Sequence, residues 1–318
     1  MKKKILILVL FVIIAMVIAL FVFAFNNKKT QDNGKINVVV TTFSTYDFVR
    51  QIAGDTVNID YLLGPGVDSH SYEPSSSDLI KIKNADMFIY IGGEMEKWCD
   101  KVLGTDVISS KTKIIQVTEC IDTIDEVEVD GAEEHEEEEE EEGAFDEHIW
   151  TAPSNAIKMV EFISEKLADK VPKNKDLYKQ NASNYVAQIK SLKVKIQEIV
   201  DNKKRDRLVF GDKMPMQYFL NEFGLTCSAA FNGCSTETEP STKTITGLVE
   251  RVKNDKIPVV LYIELSTGKT AKTIASECGV EAMQIQTLHN ISKDDFDSGE
   301  TYVSLMTRNL EVLKKALQ

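Results

Sequence analysis

Residues 178–199 read YKQNASNYVAQIKSLKVKIQEI and set the architecture of this 318-residue chain. Apolar side chains recur in this stretch at alternating spacings of four and three: Tyr178, Ala182, Tyr185, Ile189, Leu192, Ile196 and Ile199. The spacing predicts one continuous helix with a single apolar seam. At ~1.5 Å per residue, a helix over 174–200 spans about 40 Å, enough to lie along two lobes. A coiled-coil dimer would need the same seam, but the sequence offers no second long helix, so we expect packing within the chain.

Strand-like and helix-like patterns alternate on both sides of this helix. The expected strands cover 36–41, 57–63, 87–91 and 113–117 before it, and 208–210, 227–231, 259–264 and 282–287 after it. Strands separated by amphipathic helices imply βαβ units and parallel sheets. We therefore predict an α/β fold with two lobes, each a four-stranded parallel-type sheet with flanking helices, joined by the one long helix. The boundaries are 35–172 for the N-terminal lobe, 173–202 for the inter-lobe helix and 203–318 for the C-terminal lobe.

Residues 1–34 form a separate segment. Three lysines follow Met1, and an apolar run then covers 5–25, which is close to the roughly 20 residues that a spanning helix needs. Such a segment is an export signal or a membrane anchor, and cleavage after Ala24 would release the body. We expect an uncleaved anchor with the body outside the membrane. The sequence has no cysteine before Cys99, so a lipid-modified cysteine at the segment's end is not expected.

The formal charge of −13 comes from one stretch. Residues 122–147 hold sixteen acidic side chains and no Lys or Arg, and without them 37 basic side chains face 34 acidic ones. Like charges repel, so we expect a solvated, disordered acidic loop. Weak collection of divalent cations through its carboxylates and His135 is the less favoured alternative. No basic stripe is present, which excludes a nucleic-acid partner.

The other three histidines stand after predicted strands. His70 follows the second strand, His148 follows the fourth strand's loop, and His289 follows the last strand; Asp212 comes directly after the strand at 208–210. Ligands of open parallel sheets bind at the carboxyl ends of the strands. Three imidazoles with a carboxylate suit tetrahedral Zn²⁺, whereas Mn²⁺ prefers more oxygen donors. We therefore predict a Zn²⁺ site, and three ligands with pKa values of about 6.5 predict steep release in acid.

Two motifs add a family resemblance. VDSHSYEP at 67–74 and DEHIW at 146–150, with the charged loop before His148, resemble the metal-specific solute-binding proteins of bacterial ABC importers, in particular the zinc type. The resemblance extends from Val38 to the C-terminus and includes ETEPS at 237–241. It implies a protein that captures Zn²⁺ outside the membrane and hands it to a permease driven by a cytoplasmic ATPase. We expect the protein to be a monomer.

The second lobe departs from that family's pattern. Lys213 stands where such proteins usually place a His or Glu, and His289 stands where they usually place an Asp. We interpret this as an exchange of positions, with His289 as a ligand and Asp212 as the carboxylate. Glu237 or water could replace Asp212.

Two other functions use the same residues. A zinc hydrolase would need a general base beside the metal, and Glu147 or Glu73 could supply it; however, no HExxH motif, nucleophile elbow or phosphate loop occurs. A surface adhesin is the third class. Measuring the metal stoichiometry and screening for hydrolase activity would distinguish the importer subunit from the zinc hydrolase.

Overall fold

A computed structural model describes residues 34–105, 108–132, 145–233 and 239–318. The predicted anchor at 5–25, His135 and Glu237 lie outside the described residues. In the part of the chain that is described, no helix is both long and apolar enough to cross a membrane.

The first lobe is built on a parallel sheet with the strand order β2-β1-β3-β4. Its strands are β1 Ile36–Val40, β2 Val57–Tyr61, β3 Met87–Tyr90 and β4 Lys113–Gln116. Helices α1 Phe43–Ala53, α2 Ser76–Lys83, α3 Lys97–Leu103 and α4 Pro153–Lys170 accompany them. The side chains of Thr42 and Ser75 cap α1 and α2 by accepting hydrogen bonds from the third helical N–H, which fixes where both helices begin.

The second lobe repeats the arrangement with the parallel order β6-β5-β7-β8. Its strands are β5 Arg207–Met214, β6 Thr226–Asn232, β7 Val259–Ile263 and β8 Glu281–Ile285. Its helices are α6 Gln217–Phe223, α7 Thr242–Asn254, α8 Lys269–Cys278, α9 Lys293–Asp297 and α10 Tyr302–Leu317. The expected pair of four-stranded α/β lobes is confirmed.

The long helix α5 covers Lys175–Asp201 and connects the lobes. It packs on α1 and α4 of the first lobe and on α10 of the second. The predicted seam is buried in these contacts except at its end, where Val200 is buried and Ile199 is only partly buried. One apolar core includes Val38 of the first sheet, this seam and Leu317. The seam therefore serves contacts within the chain.

Strand β5 is longer than predicted. It continues past Phe210 because a register shift between Phe210 and Lys213 lets the strand pair again with β6, Lys213 opposite Phe231 and Met214 opposite Asn232. Asp212 thus lies inside an irregular strand and not behind its carboxyl end, which corrects the sequence-based placement.

The acidic segment also differs from expectation at its two ends. Asp125 and Phe145 form an antiparallel bridge, and Val129 is buried and donates its N–H to the Asn232 side chain. Asp130 accepts a hydrogen bond from Arg207. The expectation of a solvated loop over all of 122–147 is therefore wrong for its two ends, because they make contacts with the second lobe. Residues 133–144 lie outside the described residues.

Candidate metal centre

The loop after β2 places His70 at the cleft between the lobes. Gly64 and Gly66 adopt positive φ angles of 69° and 81°, which favour glycine. The Asp68 carboxylate accepts a hydrogen bond from the His70 N–H at 2.9 Å. The imidazole is largely enclosed, with 7% of its side chain exposed.

His148 is fixed by a carboxylate two residues earlier. One Asp146 oxygen accepts the backbone N–H of His148 at 2.8 Å and lies 2.7 Å from its Nδ1. Because Nδ1 faces a carboxylate, it carries the hydrogen, and Nε2 is left as the ligand atom. Thr151 donates its hydroxyl hydrogen to the His148 carbonyl at 2.8 Å, which further fixes the turn.

His289 is held from the second lobe by Glu264, which directly follows β7. The carboxylate of Glu264 accepts backbone N–H groups from Thr287 at 2.7 Å and from His289 at 2.8 Å. Leu288 between them has a φ of 60°, a left-handed conformation that a leucine rarely adopts. The buried carboxylate compensates for this bend by binding the N–H groups on either side of it.

The three imidazoles converge. Each offers one ligand atom, and these atoms lie within 4.8 Å of one another. The ring centroids are 4.6 Å apart for His70 and His289, 4.8 Å for His148 and His289, and 5.9 Å for His70 and His148. All three Nε2 atoms are buried and make no hydrogen bond within the protein. Buried polar atoms are nearly always paired, so three converging unpaired nitrogens fit a cation that accepts their lone pairs.

The protonation of the cluster is uneven. Burial, with help from His148 and Lys213, lowers the pKa of His70 to about 3. Burial and the charges of His148 and His70 also lower the pKa of His289. Burial acts in the same direction on His148, but the adjacent Asp146 outweighs it and raises the pKa of that imidazole. Two of the three ligands are therefore neutral in ordinary buffer, ready to donate to a metal.

Glu147 is a buried carboxyl group that lies close to His70. Its two oxygens accept the N–H groups of Glu94 at 2.8 Å and Met95 at 2.9 Å, and Oε1 lies 4.0 Å from His70 Nδ1. Burial raises the pKa of this carboxyl to about 7. Gly93 permits the approach, because a Cβ there would stand 2.6 Å from Glu147 Oε2. Glu147 is thus engaged with the backbone, which does not suit the general-base role that a hydrolase would require.

Asp212 does not join the histidines. It lines the same cleft, but it is not among the groups that converge within 4.8 Å. Its carboxylate accepts the N–H of Lys213 at 2.9 Å. The structure therefore brings together His70, His148 and His289, and leaves the fourth predicted ligand apart.

Asn290 ties the two ligand loops together and was not predicted from the sequence. Its amide donates to the carbonyls of Gly64 at 2.8 Å and Val67 at 2.6 Å, and its Oδ1 accepts the Tyr61 hydroxyl at 2.6 Å. These contacts cross from the second lobe to the first and lock the His70 loop beside His289. Its position next to His289 was the only sequence signal.

Comparison with known proteins identifies the family. Residues 38–316 match the family model described as ZnuA, zinc-uptake complex component A, periplasmic. The zinc-binding lipoprotein AdcA of Streptococcus pneumoniae (strain ATCC BAA-255 / R6) is 35% identical over 303 residues, which make up 95% of this chain and 60% of that protein. The high-affinity zinc uptake system protein ZnuA of Bacillus subtilis (strain 168) is 30% identical over 306 residues, 94% of each chain.

A solved structure agrees with the sequence matches. The Zn(II)-bound ZnuA-like domain of Streptococcus pneumoniae AdcA has a TM-score of 0.74 and 32% identity, and the match covers 89% of this chain and 99% of that domain. The chain spans about 60% of the length of the AdcA relatives that it matches. The family match and these likenesses cover both lobes and all three histidines, and the chain belongs to the ZnuA family of zinc-uptake components.

Proposed function

We propose that this chain captures one Zn²⁺ ion outside the cytoplasmic membrane and delivers it to an ABC-type permease. Two observations together carry the proposal: His70, His148 and His289 bring one ligand atom each to within 4.8 Å of one another, and each has a buried Nε2 without a hydrogen-bond partner. Three nitrogen donors favour Zn²⁺ over Mn²⁺. Membership of the zinc-uptake family supports transport as the purpose of the site. Delivery to a permease follows from the resemblance to solute-binding proteins of ABC importers.

In this proposal the Zn²⁺ ion is the transported cargo, and the protein binds it without catalysing a reaction. Its fourth position is filled by water or an external ligand and not by Asp212. The protein acts as a monomer whose residues 1–34 either anchor it to the membrane or are removed as a signal. The lipoprotein description of a relative supports an extracytoplasmic, membrane-attached location.

The test is a competition titration of residues 35–318, whose folded part from Ile36 to Gln318 is one compact unit. We expect one Zn²⁺ per chain, and His70→Ala, His148→Ala or His289→Ala should each weaken binding by at least about tenfold. His135→Ala is the matched control, because that histidine lies in the acidic segment, and it should keep the tight site.

Two outcomes would contradict the assignment. If His289→Ala binds as tightly as the parent, the closing ligand lies elsewhere. If Asp212→Asn loses as much affinity as the histidine variants, the carboxylate is a ligand after all. Growth of a strain lacking the gene in chelated medium, restored by Zn²⁺, tests the transport step.

A further inference from the structure

The cleft above the histidines is much larger than a metal ion. It has a volume of about 470 Å³ and opens onto His70 and His289, with Asp212, Lys213, Ser266 and Thr267 among the residues that line it. A water molecule occupies about 30 Å³ of liquid. The space therefore admits a small organic molecule beside a bound ion.

Lys213 is a basic residue that lines this cavity. Among the ion pairs of the described residues, none includes Lys213. Lys213 lines the cavity together with His70 and His289. The cavity is therefore bordered by a lysine as well as by two of the three imidazoles.

Zn²⁺ on three neutral imidazoles would keep its full charge of +2 next to this cation. A tetrahedral ion also needs a fourth donor, and no carboxylate of the described residues converges with the three nitrogens. A single anion meets both needs. A carboxylate can give one oxygen to the metal and accept a charge-assisted hydrogen bond from an ammonium group with the other.

We propose that Zn²⁺ is held together with a small carboxylate co-ligand, which fills the fourth position and bridges the ion to Lys213 across the cavity. This inference rests on the proposed Zn²⁺ site. In this arrangement Lys213 binds the carboxylate of the co-ligand, and the transported species is Zn²⁺ together with that carboxylate.

The experiment measures the Zn²⁺ dissociation constant of the full chain in detergent, in a non-coordinating buffer, with and without millimolar acetate. Values are corrected for Zn²⁺–acetate complexes in solution. Coupled binding should tighten Zn²⁺ binding by about 5- to 100-fold when acetate is present. Co²⁺ in place of Zn²⁺ should change its visible absorption on acetate addition, because an inner-sphere ligand is exchanged.

Lys213→Met provides the decisive variant. Without acetate it should bind Zn²⁺ more tightly than the parent, because a repelling charge is gone, and it should lose the acetate response. Lys269→Met is the matched control: this lysine also lines the cleft, but its side chain is 79% exposed and pairs with Glu239. It should keep the response. Glycine in place of acetate distinguishes an amino acid, which should tighten binding further through its amine, from a simple carboxylate.

The outcomes separate the two proposals. A parent protein that binds no Zn²⁺ in either buffer refutes the proposed function. A parent that binds one Zn²⁺ equally with and without acetate refutes only the co-ligand. An equal acetate response in Lys213→Met, or an equal response of the parent to chloride, also overturns the inference.

Discussion

Acid should release the metal with a shallow pH dependence, because one histidine and not three competes for protons in the usual range. The pKa of His148 is raised by Asp146, whereas the pKa of His70 falls to about 3 and that of His289 is also lowered. As the pH falls, the free site therefore takes up a proton on His148 before it does so on the other two imidazoles. Zn²⁺ must displace that single proton.

The magnitude follows from counting displaced protons. Each one weakens the apparent affinity by about tenfold for every pH unit below the pKa of its group. With His148 alone, lowering the pH from about 7 to about 5 costs at most about 100-fold. Three histidines with ordinary pKa values of about 6.5 would instead cost more than ~10⁴-fold over the same interval. The pKa shifts of the buried histidines therefore predict a shallower pH dependence of metal release than the sequence alone does.

The same shifts affect the free energy of unfolding in opposite directions. The lowered pKa of His70 makes the metal-free protein lose stability as the pH falls below the unfolded value of about 6.5, by roughly 2 kcal/mol at pH 5. The raised pKa of His148 gives stability that is fully present below about 6.5 and is lost as the pH rises through its folded pKa. Acid therefore weakens the fold through His70 and His289 and strengthens it through His148.

The assay is a set of competition titrations between about pH 7.5 and pH 5, with the logarithm of the dissociation constant plotted against pH. A slope near one is expected. Asp146→Asn removes the carboxylate that raises the pKa of His148, so the weakening should begin at lower pH in that variant. A slope near three in the parent would show that all three imidazoles titrate normally, and would refute the reasoning.

Three further predictions concern the support of the site. Asn290→Ala removes the four hydrogen bonds of that side chain, at roughly 1 kcal/mol each, so it should lower the free energy of unfolding by about 2–4 kcal/mol and weaken Zn²⁺ binding. Asn181→Ala loses one hydrogen bond to Ile52 on α1 and should leave the affinity unchanged. Gly93→Ala should destabilise the protein by about 1–3 kcal/mol, since its φ is 93° and Glu147 would have to move, and normal unfolding in urea would contradict this. Deletion of 133–142 should keep the tight ion in a binding titration and lose only weak additional binding.

Elements with strong local signals were predicted closely. The helix expected over 174–200 agrees with α5, Lys175–Asp201, to within one residue at each end. The reason is its apolar seam, which recurs through the whole stretch. Strand β5 was underestimated because Gly211 and Asp212 suggest a turn, while the continuation depends on pairing with β6 across a register shift.

The residues of the candidate site also differ in whether a local sequence signal could predict them. The ligand histidines follow strands, so their convergence could be predicted from topology alone. Asp146, two residues from His148, could have been recognised as its partner. Glu264 and Asn290 could not, because Glu264 is 25 residues from His289 and Asn290 acts on a loop 223 residues away. Such partners depend on how the lobes are placed, which the local sequence does not specify.

That placement limits how the cleft can open. Besides Asn290, Trp150 of the first lobe donates its indole N–H to Thr287 at 2.9 Å, and Tyr302 of the second donates its hydroxyl to Trp150 at 3.0 Å and its N–H to buried Asp47 at 2.9 Å. Separating the lobes as rigid bodies would break all of these, at roughly 1 kcal/mol for each bond. The long helix α5 resists the same motion through its packing on both lobes. These ties, together with the hydrogen bonds of Asn290 to the His70 loop, oppose a wide separation of the lobes, so we expect the cleft to open little when the metal enters or leaves.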